Sequence, residues 1–107
     1  MRVEVHVSGR VERGRFAEFL DAASRWCAYR RDHGLAPPRI LQAISGEMNA
    51  VLMVFAYAAL DEYEREEARV ASDREYARVA MAMPFEGPLT FTILRDPFAA
   101  SADGGVA

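Results

Sequence analysis

Residues 45–76 read SGEMNAVLMVFAYAALDEYEREEARVASDREY, and within this stretch a turn, a strand and two helix starts follow one another with almost no slack. The apolar run from Val51 to Tyr57 is far too short to cross a membrane and is rich in β-branched and aromatic residues, so it reads as a strand buried on both faces. A strand of that kind needs cover on two sides. Asp61 stands three residues before Glu64, the spacing at which one side-chain oxygen takes an N-terminal amide while the later carboxylate reaches back, and a helix is expected to begin there. Ser72 and Asp73 offer a second start with acid at the positive end of the helix dipole, so a break is expected near Ser72.

Working outward, Val3, Val5 and Val7 alternate with Arg2, Glu4, His6 and Ser8, the period-two pattern of a strand from Arg2 to Val11 with one apolar and one polar face. Past Gly14, the residues Phe16, Phe19, Leu20, Ala23, Trp26 and Cys27 recur at helical spacing. Arg30, Arg31 and His33 fall in the last turn, where cations meet the negative dipole end, and Gly34 is placed as a left-handed stop. Pro37 and Pro38 stiffen the lead into a second strand from Arg39 to Ser45. The second helical region is expected to run to about Met83, where Pro84, Gly87 and Pro88 break it before a fourth strand from Leu89 to Leu94.

The resulting order, strand-helix-strand-strand-helix-strand, is the split βαβ arrangement: an α+β, ferredoxin-like antiparallel sheet with its helices on one face. The other face would carry more apolar surface than monomers expose, so a homodimer is expected, with two sheets pairing about a two-fold axis. At 107 residues the chain is one domain, taken as residues 1–98, followed by an Ala- and Gly-rich tail at 99–107 that is expected to be mobile. The net charge of -3 comes from 13 basic and 16 acidic residues interspersed along the chain, which leaves no basic stripe for nucleic acid. The single Cys27 forbids an intramolecular disulfide and fits a reducing compartment, so the cytoplasm is the expected location. Acid and histidine at Glu4 and His6 interrupt any signal-peptide core, so neither export nor membrane insertion is expected.

Gly46, Asn49, Val51, Tyr57, Leu60, Glu64, Ala68, Asp73 and Tyr76 together resemble the second half of the NIPSNAP family, within the dimeric α+β barrel superfamily. The likeness extends to Gly14 and Glu18, to Arg31, His33 and Gly34, and to Ile93 and Leu94, and so covers nearly the whole chain. It implies a β-α-β-β-α-β sheet that closes into a barrel with a second copy. It also supports a ligand-binding or protein-interaction module without turnover.

Glu4 and His6 lie two apart on one strand, so their side chains share a face, and a carboxylate beside an imidazole is a candidate catalytic acid-base pair. The structural reading of the same residues is a polar sheet face paired with Arg2, Arg39 or Arg95. Trp26, Tyr29, Phe55, Tyr57, Phe85 and Phe91 either line an apolar pocket for a flat organic ligand or simply fill the core. Trp26, Asn49, Tyr57 and Arg39 are the ligand-binding candidates, although Asn49 equally serves the turn and Tyr57 a backbone group. Cys27, on a buried helix face, is expected to be inert.

No metal or other cofactor is expected, since His6 and His33 stand far apart and His33 is explained by the helix dipole. The acidic and basic alternation from Asp61 to Arg69 reads as a solvated helix face. Two functions follow. One is a NIPSNAP-like homodimer holding a small apolar or aromatic ligand. The alternative, by superfamily analogy, is a cofactor-free tailoring enzyme of the monooxygenase or cyclase type, acting on an aromatic or polyketide-like compound.

Overall fold

Val3, Val5, Val7 and Val11 form the buried side of β1 (Val3–Val11), and the residues between them turn to the other face. The structure, a computed structural model, describes residues 1–98; the expected tail at 99–107 lies outside the described residues. β1 pairs antiparallel with β3 (Ala50–Tyr57) on one side and β4 (Phe85–Arg95) on the other, and β2 (Arg39–Gln42) completes the order β2-β3-β1-β4. This is the expected α+β ferredoxin-like sheet. Three helices, α1 (Phe16–Asp32), α2 (Leu60–Ala71) and α3 (Arg74–Met81), cover the face that carries Val5, Val7, Met53 and Phe55.

The register sets Val5 opposite Phe55 and Val7 opposite Met53, so the apolar positions of both central strands point under the helices together. Phe19, with no exposed surface, packs edge-on against Phe85 at 5.4 Å and anchors α1 to the sheet. Leu20, expected on the same stripe, faces solvent at 58% exposure. β3 does not match a strand covered on both sides within one chain. Val51, Met53, Phe55 and Tyr57 are buried, whereas Leu52 and Val54 are half-buried and Ala56 is exposed.

Local chemistry explains the helix ends. Gly34, at φ 68°, lets α1 close with Leu35 N donating to Arg30 O at 2.8 Å and Gly34 N to Arg31 O at 3.2 Å, the paired bonds of a left-handed C-terminal stop. Asp73 caps α3 as expected, its carboxylate accepting from Tyr76 N at 3.1 Å, and Ser72 ends α2. The start of α2 differs from the expected Asp61–Glu64 box. The helix begins at Leu60 with Ala59 as its cap, and Glu62 rather than Glu64 reaches back, accepting from Ala58 N at 3.1 Å. Asp61 instead pairs with Arg65 one turn on, at 2.7 Å.

Two strands have other limits than their composition predicts. β2 stops at Gln42 instead of Ser45, with Ala43 N still donating to Ala50 O at 3.0 Å before the turn takes over. β4 starts at Phe85, absorbing Gly87 and Pro88 that read as breakers. Between the pairs Ser8–Thr90 and Arg10–Glu86, β1 supplies only Gly9 while β4 supplies three residues, so the extra chain loops out as a bulge. Gly87 accepts the left-handed φ of 72° there. Gly9 makes room for the returning Leu89, whose Cδ2 would lie 2.4 Å from any Cβ at that position.

Candidate functional site

The apolar stripe of α1 passes through Phe19, Ala23 and Trp26, and the next position one turn along is Arg30, which is only 3% exposed. On α2 the inward stripe of Tyr63 and Val70 contains Glu66, also buried. The two charges meet: Arg30 Nη2 donates to Glu66 Oε2 at 2.6 Å. Arg30 Nε donates to Ala36 O at 2.9 Å, and Glu66 Oε1 accepts from Ala36 N at 2.8 Å, so both ends of the pair are tied to one loop residue. Tyr57 donates its hydroxyl to Glu66 Oε2 from the sheet side. Tyr76 Oη accepts from Arg30 Nη1 at 2.8 Å and from Trp26 Nε1 at 3.2 Å.

The guanidinium also lies over aromatic rings, with its Cζ 4.7 Å from the centroid of Phe55 and 5.4 Å from that of Trp26. Burial pulls the Arg30 pKa down, but Tyr76, Glu66 and Tyr57 outweigh it and the net shift is upward. The cation is therefore permanent. Burial, then the Glu66 carboxylate, pushes the Tyr57 phenol well above its ordinary range.

Beside this cluster is a cavity of about 360 Å³. Val5, Val7, Met53 and Phe55 form its floor, while Trp26, Arg30, Tyr63, Glu66 and Tyr76 come from the helices above. Glu67 also lines it, and burial beside Glu66 raises its carboxyl pKa against the pull of Arg30. Met81 and Phe91, exposed at 83% and 59%, line the cavity where it meets solvent.

At the back of Tyr76, the Tyr29 hydroxyl donates to Asp73 Oδ2, and its ring stacks on His33 at 3.9 Å. The Asp73 hydrogen bond, with burial behind it, pushes the Tyr29 phenol up to about 12. The same bond, followed by the Tyr76 amide, holds the Asp73 carboxyl below its usual range. Because the folded phenol ionises later than an open-chain tyrosine at about 10, its contribution to stability is complete below that pH and fades as pH rises toward 12. The Asp73 contribution runs the other way, present above the open-chain carboxyl value of about 3.9 and lost as pH falls. Asp73→Asn is expected to bring the Tyr29 titration back toward 10, read from phenolate absorbance.

The sequence-predicted site residues divide between two faces. Trp26 and Tyr57 reach the cavity. Glu4 and His6 are on the opposite, helix-free face, with His6 Nε2 2.9 Å from Glu4 Oε1 and the His6 side chain 28% and the Glu4 side chain 57% exposed. Arg39, on edge strand β2, aligns across Val54 with His6 on that same open face. Asn49 ties the turn to the end of β1: its Nδ2 donates to Val11 O at 3.0 Å, and its Oδ1 is buried without a partner among the described residues. Burial raises the Cys27 thiol pKa against the pull of Arg30 and Arg31, which fits an inert cysteine.

No family model matches the sequence, and no curated protein does. Solved structures match over nearly the whole chain. A NIPSNAP family protein from Agrobacterium tumefaciens superposes with a TM-score of 0.74, covering 89% of this chain and 92% of its own at 16% identity. An uncharacterised NIPSNAP domain protein from Burkholderia xenovorans reaches 0.71, covering 90% and 94% at 21% identity. The chain shares the α+β ferredoxin-like fold of these proteins. A Bordetella bronchiseptica protein whose name assigns it to the antibiotic biosynthesis monooxygenases matches with a TM-score of 0.69, covering 89% and 96% at 16% identity.

Arg30, Glu66, Glu67 and Tyr76 are polar cavity-lining residues that the sequence reading does not single out as ligand-binding. The signal was the helical wheel. Arg30 stands four residues after Trp26, and Glu66 three after Tyr63 and four before Val70, so each is a charge on an otherwise apolar stripe. Local rules for helix dipoles and surface ion pairs account for each of them separately and hide that they belong together.

Proposed function

We propose that this NIPSNAP-fold chain is a homodimer that binds a small apolar or aromatic molecule in the cavity between its helices and its sheet. The cavity carries the reading. Its volume of about 360 Å³, its apolar floor and the few polar groups gathered beside Arg30 are the features of a site for a small organic ligand. The homodimer is supported by the open sheet face, where Leu41 and Leu94 are each 44% exposed among the half-buried Leu52 and Val54. A cytoplasmic location belongs to the proposal and is supported by the free thiol of Cys27. Among the described residues no helix is long and apolar enough to cross a membrane.

Trp26 is the only tryptophan and lines the cavity, so its indole N–H gives one resonance that reports occupancy. Titration with fluorene, a flat aromatic hydrocarbon, is expected to move that resonance with saturation in the micromolar range. A resonance unmoved at the solubility limit of fluorene would overturn the cavity reading.

The contact between His6 and Glu4 favours a second reading, a cofactor-free tailoring enzyme of the monooxygenase or cyclase type. There a second copy would enclose the open face, Glu4 would orient the imidazole and Arg39 would hold a substrate across the same row of the sheet. His6→Ala separates the two readings. It leaves the fluorene response intact under the first and lowers turnover of a screened substrate by about a hundredfold or more under the second.

A further inference from the structure

A phenolic oxygen has two lone pairs and one proton to give. At Tyr76 both lone pairs are engaged by groups that can only donate, Arg30 Nη1 at 2.8 Å and Trp26 Nε1 at 3.2 Å. The proton of this hydroxyl is therefore left over, and no acceptor among the described residues takes it. Tyr57 differs, since its proton is already given to Glu66. Both donors to Tyr76 are themselves fixed. Arg30 is held by Ala36 O and Glu66, and Trp26 is buried edge-on against Phe55 at 5.9 Å. The hydroxyl thus has a set orientation, and because Tyr76, Arg30 and Trp26 all line the cavity, its proton is available to whatever fills that space.

We propose that Tyr76 is the specificity-determining residue of the cavity, donating its hydroxyl proton to a carbonyl, enolate or phenolate oxygen on the ligand. The class of ligand is then a flat, mostly apolar molecule with one acceptor oxygen at its edge. Two observations favour an oxygen that gathers negative charge over one that does not. A phenol accepting hydrogen bonds from a cation and an indole is polarised into a stronger donor. The Arg30 guanidinium stands one bond behind it, buried and permanently charged, so electron density on the bound oxygen is stabilised through Tyr76. The floor formed by Val5, Val7, Met53 and Phe55 presents no side-chain oxygen to compete for the same proton.

This inference rests on the cavity reading above and refines it, and a matched pair of probes separates the two. Fluorene and fluorenone share one ring framework and differ in the ketone. The wild-type protein is expected to bind fluorenone about tenfold more tightly than fluorene, the value of one polarised hydrogen bond, and to shift the bound carbonyl stretch to lower frequency than in hydrocarbon solvent. Tyr76→Phe is expected to remove both the preference and the frequency shift, bringing the two probes to equal affinity. Equal affinity for the two probes in the wild type, or a carbonyl stretch at its hydrocarbon value, would overturn the inference and leave the cavity reading standing. Binding of neither probe would overturn both. The infrared measurement on the wild type needs no variant, so loss of folding in Tyr76→Phe does not blunt the test.

Discussion

Glu66→Leu is expected to destabilise the fold by about 3–5 kcal/mol, measured by urea unfolding at fixed protein concentration, with the midpoint falling and the slope unchanged. Glu66 is buried, and its carboxylate is the counter-charge to an Arg30 that is 3% exposed. Removing it takes from the guanidinium its hydrogen-bonded carboxylate, deprives the Tyr57 hydroxyl of its acceptor and leaves Ala36 N without one. Each loss is a desolvated polar group without a partner, which costs more than the bond itself contributed. The double variant Arg30→Met/Glu66→Leu is expected to be clearly more stable than Glu66→Leu alone, because removing both charges strands neither. A loss below about 1 kcal/mol in the single variant, the value of an exposed ion pair, would contradict the buried role assigned to the pair.

Some of these features are legible from neighbouring residues alone. Val3, Val5 and Val7 announce a two-faced strand, Gly34 announces the end of α1, and Asp73 announces the start of α3, because each depends on backbone chemistry within a few residues. The bulge in β4 is not legible in this way: Gly87 and Pro88 look like breakers until Gly9, on another strand, supplies the space into which Leu89 returns. The candidate site is split along the same line. Trp26 and Tyr57 are found because aromatics on buried stripes stand out. The Arg30–Glu66 pair spans 36 residues of sequence, and each member has an adequate local explanation, so only the fold, which brings the end of α1 within reach of α2, shows what they do together. The pairing of Glu4 with His6 is visible from their spacing, whereas their distance from the cavity follows from which face the helices cover.

Val54→Asp is expected to convert a two-chain particle into a single chain, read by light scattering during gel filtration at micromolar concentration. Val54 occupies the centre of the open face, aligned with His6 on one side and Arg39 on the other, and is half-buried within its own chain. In a two-fold arrangement of these faces every substitution appears twice. Two carboxylates would then be taken out of water, at several kcal/mol per ion, and Arg39, aligned with each, offsets that cost only in part. At about 1.4 kcal/mol per decade, dimer affinity would fall a thousandfold or more. Val54 points away from the helices, so the single chain should keep its core and its fluorene response. Leu20→Asp, on the exposed side of α1 at 58% exposure, is the matched control and should leave the mass unchanged. A wild-type particle of single-chain mass would remove the partner copy from the proposal and, with it, the enclosed setting that the Glu4–His6 pair needs for acid-base chemistry. The cavity beneath the helices would be untouched, because every wall it has comes from one chain.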